Sequence, residues 1–255
     1  WEGDWKANSG CAKAQKKREL VLNWLDNVSD YCMTLDIPTW VIHDARVSKI
    51  IGFSTTNKKL ALQQAVDATK FNNEYFMKHR KGVRNGGAKI LNVLQGGNHG
   101  EADHWYGLMK DYCDPSKYER PFNGWGMGGQ NMCDIHLTLR RLVALRYDGL
   151  LEKGIHDWMH FLGTAQLDWS CYLTLIQRQI KKHINENFTI SFDCASPFIA
   201  TAHGLVYTNA QHTNKRWSVI MDKAPDTKAL SQNFDVPFPF ESELGNRLSI
   251  GDICW

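Results

Sequence analysis

Short runs of β-prone, mostly apolar residues alternate along this chain with longer stretches whose apolar positions fall at helical spacing. The strand-like runs are Tyr31–Leu35, Ala88–Leu94, Phe122–Met127, Asp157–Leu162 and Thr189–Phe192. The last of them delivers Asp193 to a small-residue turn stopped by Pro197. Helical spacing marks Lys17–Val28 (Leu20, Val21, Trp24, Leu25) and Asn57–His79 (Leu60, Leu62, Ala65, Ala68, Phe71, Tyr75). It continues in Glu101–Cys113, in 131–151 (Met132, Ile135, Leu139, Leu142, Val143, Leu150) and in Leu167–Ile184. Ser54, Thr55 and Thr56 offer N-cap chemistry before the second helix. Residues 1–18 read as a polar, basic loop or a displaced helix start. Past Asp193, Gly204–Tyr207 and Trp217–Met221 read as strands of a hairpin, followed by a loop-rich run carrying Pro225, Pro237 and Pro239.

Each strand-to-strand crossover is long enough for a right-handed parallel connection, so the rhythm predicts an α/β fold with a parallel sheet. The 255 residues match the usual size of an eight-fold β/α barrel. The expected fold is therefore a (β/α)8 TIM-type barrel, incomplete at both termini, with a hairpin and loop excursion after the strand that ends at Asp193. One domain is expected over 1–255, with its barrel core in 20–204 and the hairpin and loop-rich part in 205–255. A chain that opens on Trp1 and stops at Trp255 after a β-like run reads as an internal fragment.

Every predicted strand closes on a residue suited to a ligand: Asp36, Gln95, Gly128-Gly129, Leu162-Gly163 and Asp193. In a β/α barrel such ends share the face where chemistry is done. Taken alone, Asp193 reads more simply as a turn or helix cap; the company it keeps favours a functional role. The Asp36 carboxylate can accept two N–H donors, Gln95 can donate to a carbonyl, and bare backbone at Gly128 and Gly129 admits a flat ring. Guanine presents such an edge. An ionised Asp193 could then attack an anomeric carbon, and a second base could resolve the glycosyl-enzyme, giving base exchange with retention. On a polymer the base must first leave its stack.

Composition adds limits. A net charge of +3 does not announce a polyanion partner, but Lys13–Arg18, Lys78–Arg84, Arg140–Arg146 and Arg178–His183 each concentrate positive charge, as a phosphate-tracking surface or as solvated helix faces. Seven cysteines, an odd number without a CxxC pair, argue for a reducing compartment. No membrane span or signal peptide is visible, so a cytoplasmic location is expected. The histidines lack zinc-site spacing, with His160 the one expected to line the pocket. Trp40 and Trp125 stand beside strand ends where a flipped base could stack, whereas Met127 and Met132 read as core.

Phe192-Asp193-Cys194-Ala195-Ser196-Pro197, Leu94-Gln95-Gly96-Gly97, Gly124–Gly129, His160–Gly163 and Leu35-Asp36 together resemble, in order and approximate spacing, the tRNA-guanine transglycosylase superfamily, over residues 20 to 204. The resemblance implies Asp193 as nucleophile, Asp36 and Gln95 on the base edge, backbone contacts from Gly128 and Gly129, and Leu162 packing on the ring. Asp134 would keep the carboxylate that follows the glycine pair in the family. The family's early Asp-Ser-Gly-Gly segment, with its general acid/base aspartate, is not found. Its cysteine-rich zinc motif does not appear before Trp255, with Cys254 at the edge; no cofactor is expected within this chain, and a structural zinc belongs to the full-length protein. The wording after Asp193, with Gln95–Asp103 and His160–Gly163, looks more like the DNA-directed, DpdA-type branch of phages and bacterial genomic islands. That branch implies replacement of guanine in DNA by a 7-deazaguanine derivative. The implied partners are DNA (alternatively tRNA), the free 7-deazaguanine base, and a second copy or an accessory subunit, with no membrane. The competing readings are the same chemistry on tRNA, or a non-catalytic nucleic-acid-binding subunit on the same fold.

Overall fold

The computed structural model describes residues 2–82, 85–164, 166–213 and 217–223, with 243, 246–249 and 252 beyond them. The predicted loop-rich run with Pro225, Pro237 and Pro239, and Cys254 at the edge of the expected zinc motif, lie outside the described residues. The chain divides into two compact units, Trp1–Thr164 with Tyr172–Asp193, and Ala165–Cys171 with Cys194–Trp255.

The first unit is built from α1 (Ala12–Val28), β1 (Tyr31–Met33), α2 (Ala45–Ile50), α3 (Lys58–His79), β2 (Lys89–Leu94), α4 (His99–Met109), β3 (Gly124–Met127), α5 (Ile135–Tyr147), β4 (Trp158–Phe161) and β5 (Thr189–Phe192). The helix α6 (Leu167–His183) joins β4 to β5 and belongs to this unit from Tyr172. The sheet order is β1-β2-β3-β4-β5 and every pairing is parallel, which establishes the α/β class read from the alternation.

The sheet curls into a half-barrel. Strands lie about 4.8 Å apart, so β1 and β4, three places removed, would stand about 14 Å apart in a flat sheet. Yet the rings of Tyr31 on β1 and Trp158 on β4 have centroids 4.6 Å apart. That contact marks the concave face, and pleating puts His160 and Leu162 on the same side as Trp158. On β3 and the residue after it, this face carries only Gly124, Gly126 and Gly128. A methyl added at Gly126 would come within 3.1 Å of Val93 Cγ2, and one at Gly124 within 2.1 Å of the Trp158 carbonyl oxygen. Glycine is a poor strand former, and it is used here because the curled neighbours leave no room. The convex face is the apolar core: Ile90, Trp125, Met127, Met159 and Phe161 are fully buried.

Several boundaries differ from those expected. α1 begins at Ala12, because Ala12–Lys16 are good helix formers and Ala14 is buried, so residues 1–18 are not all loop. β1 stops at Met33, where Thr34 turns its hydroxyl to accept from the Val93 N–H. The cap of α3 is Asn57, accepting from Leu60 N, while Ser54 Oγ accepts from Asn57 N. The predicted 131–151 helix is a 3-10 turn, Gly129–Met132, followed by α5 with Asp134 as its cap.

Three of the basic runs give an arginine to the interior. Arg18, buried between the Trp5 and Phe71 rings, donates to Asn72 Oδ1. Arg80 donates to the Arg120 and Pro121 carbonyls, and Arg141 pairs with Asp103 at 3.0 Å over the Tyr106 ring. Those guanidinium groups are structural, which shortens the phosphate-tracking surface that charge counting suggests.

In the second unit, α7 (Ser196–Ala202) precedes an antiparallel hairpin of β6 (Leu205–His212) and β7 (Trp217–Lys223). Pro197 sits in the first turn of α7, where its missing N–H has no intrahelical acceptor to lose, so it starts a helix rather than ending a turn.

Candidate functional site

Four strands end in one register row. Leu94 pairs with Met127, Met127 with Phe161 and Phe161 with Phe192, each the last residue of its strand. The next residue on each is Gln95, Gly128, Leu162 and Asp193. The ladder carries on through Gly128 N to Leu94 O and Leu162 N to Met127 O, so these positions keep the pleat and address the concave face. Four residues expected to act together therefore lie side by side on one edge of the sheet.

Asp36, on the loop after β1, joins this row through a hydrogen bond donated by Gln95 Nε2 to its Oδ2 at 2.8 Å. Gln95 is buried, and enough protein surrounds the Asp36 carboxyl that desolvation pushes it up to about 6, against the lowering effect of Gln95. The carboxyl is thus held where added N–H donors would favour its ionised form.

The glycines here serve close approach. A methyl at Gly128 would meet Gln95 Nε2 at 2.7 Å, and Gly129, at φ +56°, holds its Cα against the Gly96 carbonyl, where a Cβ would come to 2.5 Å. The Gly128 N–H is taken by Leu94 O, whereas Gly129 opens a 3-10 turn, a position without an intrahelical acceptor. Sequence reading missed Asn131. This fully buried side chain donates to the carbonyls of Leu94, Gln95 and Gly128, tying the β2 and β3 ends together. An Asn between Gln130 and Met132 carries no periodic signal that could have revealed it.

Asp193 is 68% exposed at its side chain. Its Oδ1 accepts from Gly163 N at 3.2 Å and lies 3.1 Å from His160 Nε2. On its other side, His160 Nδ1 is 2.7 Å from Ser191 Oγ, which accepts from Trp158 Nε1 at 2.8 Å. His160, whose side chain is 14% exposed, thus lines the concave face beside Asp193. Leu162 is half-buried in the row, and the Met132 sulfur lies over the Gly163 position.

Other candidates are occupied elsewhere. Asp134 Oδ1 caps α5 through His136 N and Leu137 N, and its Oδ2 lies 3.1 Å from His99 Nε2; these bonds hold its carboxyl below the usual range. Trp125 is no stacking platform: it is fully buried on the convex face and donates to Leu150 O. Trp40 is exposed in the 3-10 turn Thr39–His43. His156 is a core histidine, accepting from Glu152 N and bonded to Cys113 O.

Among the described residues no group of three or more His, Cys, Asp or Glu could hold a metal ion, and the described cysteines are free thiols. No described helix is long and apolar enough to cross a membrane. Compared with protein-family models, curated proteins and solved structures, the chain matches none.

Proposed function

We propose that this chain carries the catalytic edge of a base-exchange transglycosylase that replaces guanine in DNA by a 7-deazaguanine derivative. The five parallel strands are read as part of a (β/α)8 barrel. The observation that carries the proposal is the row Gln95, Gly128, Leu162, Asp193, with Asp36 bonded to Gln95 at one end and an exposed carboxylate at the other. Asp36 accepts from the N–H groups of the base edge and Gln95 supports the same edge. The Gly128-Gly129 backbone and Leu162 flank the ring, and Asp193 addresses the sugar. An Asp193 oxygen forms a bond to C1′ as the C1′–N9 bond breaks; the electron pair stays on the departing guanine, which takes a proton from water. The incoming base then attacks C1′ through N9, Asp193 leaves as a carboxylate, and the N9 proton passes to water. Two displacements give net retention.

The test incubates the full protein with duplex DNA carrying labelled guanine, and separately with tRNA, each with a 7-deazaguanine base. The expected result is release of label from DNA together with a denaturation-resistant protein–DNA adduct. Turnover on tRNA alone would transfer the reading to that polymer. Binding of either polymer without label release or adduct would leave a non-catalytic nucleic-acid-binding subunit.

A further inference from the structure

The concave face below Asp193 carries a continuous line of hydrogen bonds, and its polarity can be worked out. Trp158 Nε1 only donates, so Ser191 Oγ accepts from it at 2.8 Å. At the far end a carboxylate oxygen, Asp193 Oδ1, only accepts, and it lies 3.1 Å from His160 Nε2. A neutral imidazole turning a lone pair toward that oxygen would be repelled, so Nε2 carries the proton and Nδ1 is the acceptor. The Ser191 hydroxyl then donates its hydrogen bond to His160 Nδ1, 2.7 Å away. The indole that starts the line is itself fixed, its ring packed on Tyr31.

We infer that Trp158 and Ser191 are positioning residues that fix His160 as an Nε2–H donor, so that His160 and the Gly163 N–H together clamp Asp193 Oδ1 and present Oδ2 for attack. This inference rests on the proposed function for the meaning of the attack, but the clamp itself does not. Among the described residues, both donors to the Asp193 carboxylate fall on Oδ1. When Oδ2 bonds to carbon, Oδ1 becomes the ester carbonyl oxygen and still accepts both bonds, so the clamp orients the nucleophile without opposing its reaction. No proton leaves His160 in this step. A single Asp193 rotamer is thereby selected for a side chain that is otherwise open to solvent.

Two measurements on the full protein test this. Nitrogen-15 shifts of His160 in its neutral form should show Nε2–H in the wild type, and a mixture of tautomers in Ser191→Ala. The Nδ1–H tautomer in the wild type would overturn the clamp, whether or not the protein is active. In exchange kinetics, Ser191→Ala should lower kcat about 10- to 100-fold with KM for the free base little changed, as for a misoriented reacting group. Ser191→Thr, which keeps the hydroxyl, should restore it. His160→Gln keeps an N–H donor and has no tautomer to set, so adding Ser191→Ala to it should cost nothing further. An equal loss from Ser191→Ala in both backgrounds would make Ser191 merely structural and refute the inference. A wild type that shows the Nε2–H tautomer but exchanges no base would uphold the clamp and defeat the transglycosylase reading instead.

Discussion

Replacing Asp36 by Asn separates the cost of the site from its use. Burial lifts the Asp36 carboxyl from the ordinary range near 4 to about 6. Below pH 4 folded and unfolded chains both hold the proton, and the group costs nothing. As pH rises the unfolded chain ionises first, so stability falls until about pH 6 and then levels off. Two units at 1.36 kcal/mol each set the plateau at about 3 kcal/mol. Asn cannot ionise, and Gln95 can turn its amide to keep a hydrogen bond. Asp36→Asn should therefore be more stable than the wild type by about 2–3 kcal/mol at pH 7.5 and by less than about 1 kcal/mol at pH 4. Urea unfolding at the two pH values reads this directly. The same variant should bind the free base more weakly, since it offers one acceptor where the carboxylate offers two. Wild-type affinity should rise with pH through about 6, as base N–H donors select the ionised form. A stability gain that is absent, or equal at both pH values, would refute the reasoning from burial.

Asp193→Asn should lose base exchange while retaining base binding by calorimetry, because shape survives and the anionic oxygen does not. Gly128→Ala should displace the Gln95 amide, which its methyl would meet at 2.7 Å, weakening base binding at a stability cost of about 1–3 kcal/mol. Arg141→Ala should destabilise by about 1–3 kcal/mol in thermal or urea melts, since it empties the buried space over Tyr106 while Asp103 keeps its pair with Arg140, yet leave nucleic-acid affinity per folded molecule unchanged.

The parallel sheet was legible because apolar strand runs and helical spacing are repeated, local signals. Short elements were not: α2, capped by Asp44, and the 3-10 turn before it contain too few residues to show a period. Formal charge misled at Arg18, Arg80 and Arg141, whose burial depends on carbonyls, a carboxylate and rings supplied from distant segments. Strand ends drew attention to Asp36, Gln95 and Asp193 because chain order lays parallel strand ends on one edge. Ser191 gave no sign of its part, since a serine in a strand is commonplace and its partners, Trp158 and His160, are about 30 positions away.

The packing of Tyr31 on Trp158, with Lys89 donating to the Tyr31 hydroxyl, floors the trough at the foot of the strands. In the proposed exchange, a base held by Asp36 and Gln95 is closed off at that foot and departs by the edge where the strands end. If the proposed exchange runs at this edge, outgoing guanine and incoming base occupy one another's place. Released guanine should accordingly compete with the incoming base, and the reaction should follow a strict order of one out, then one in.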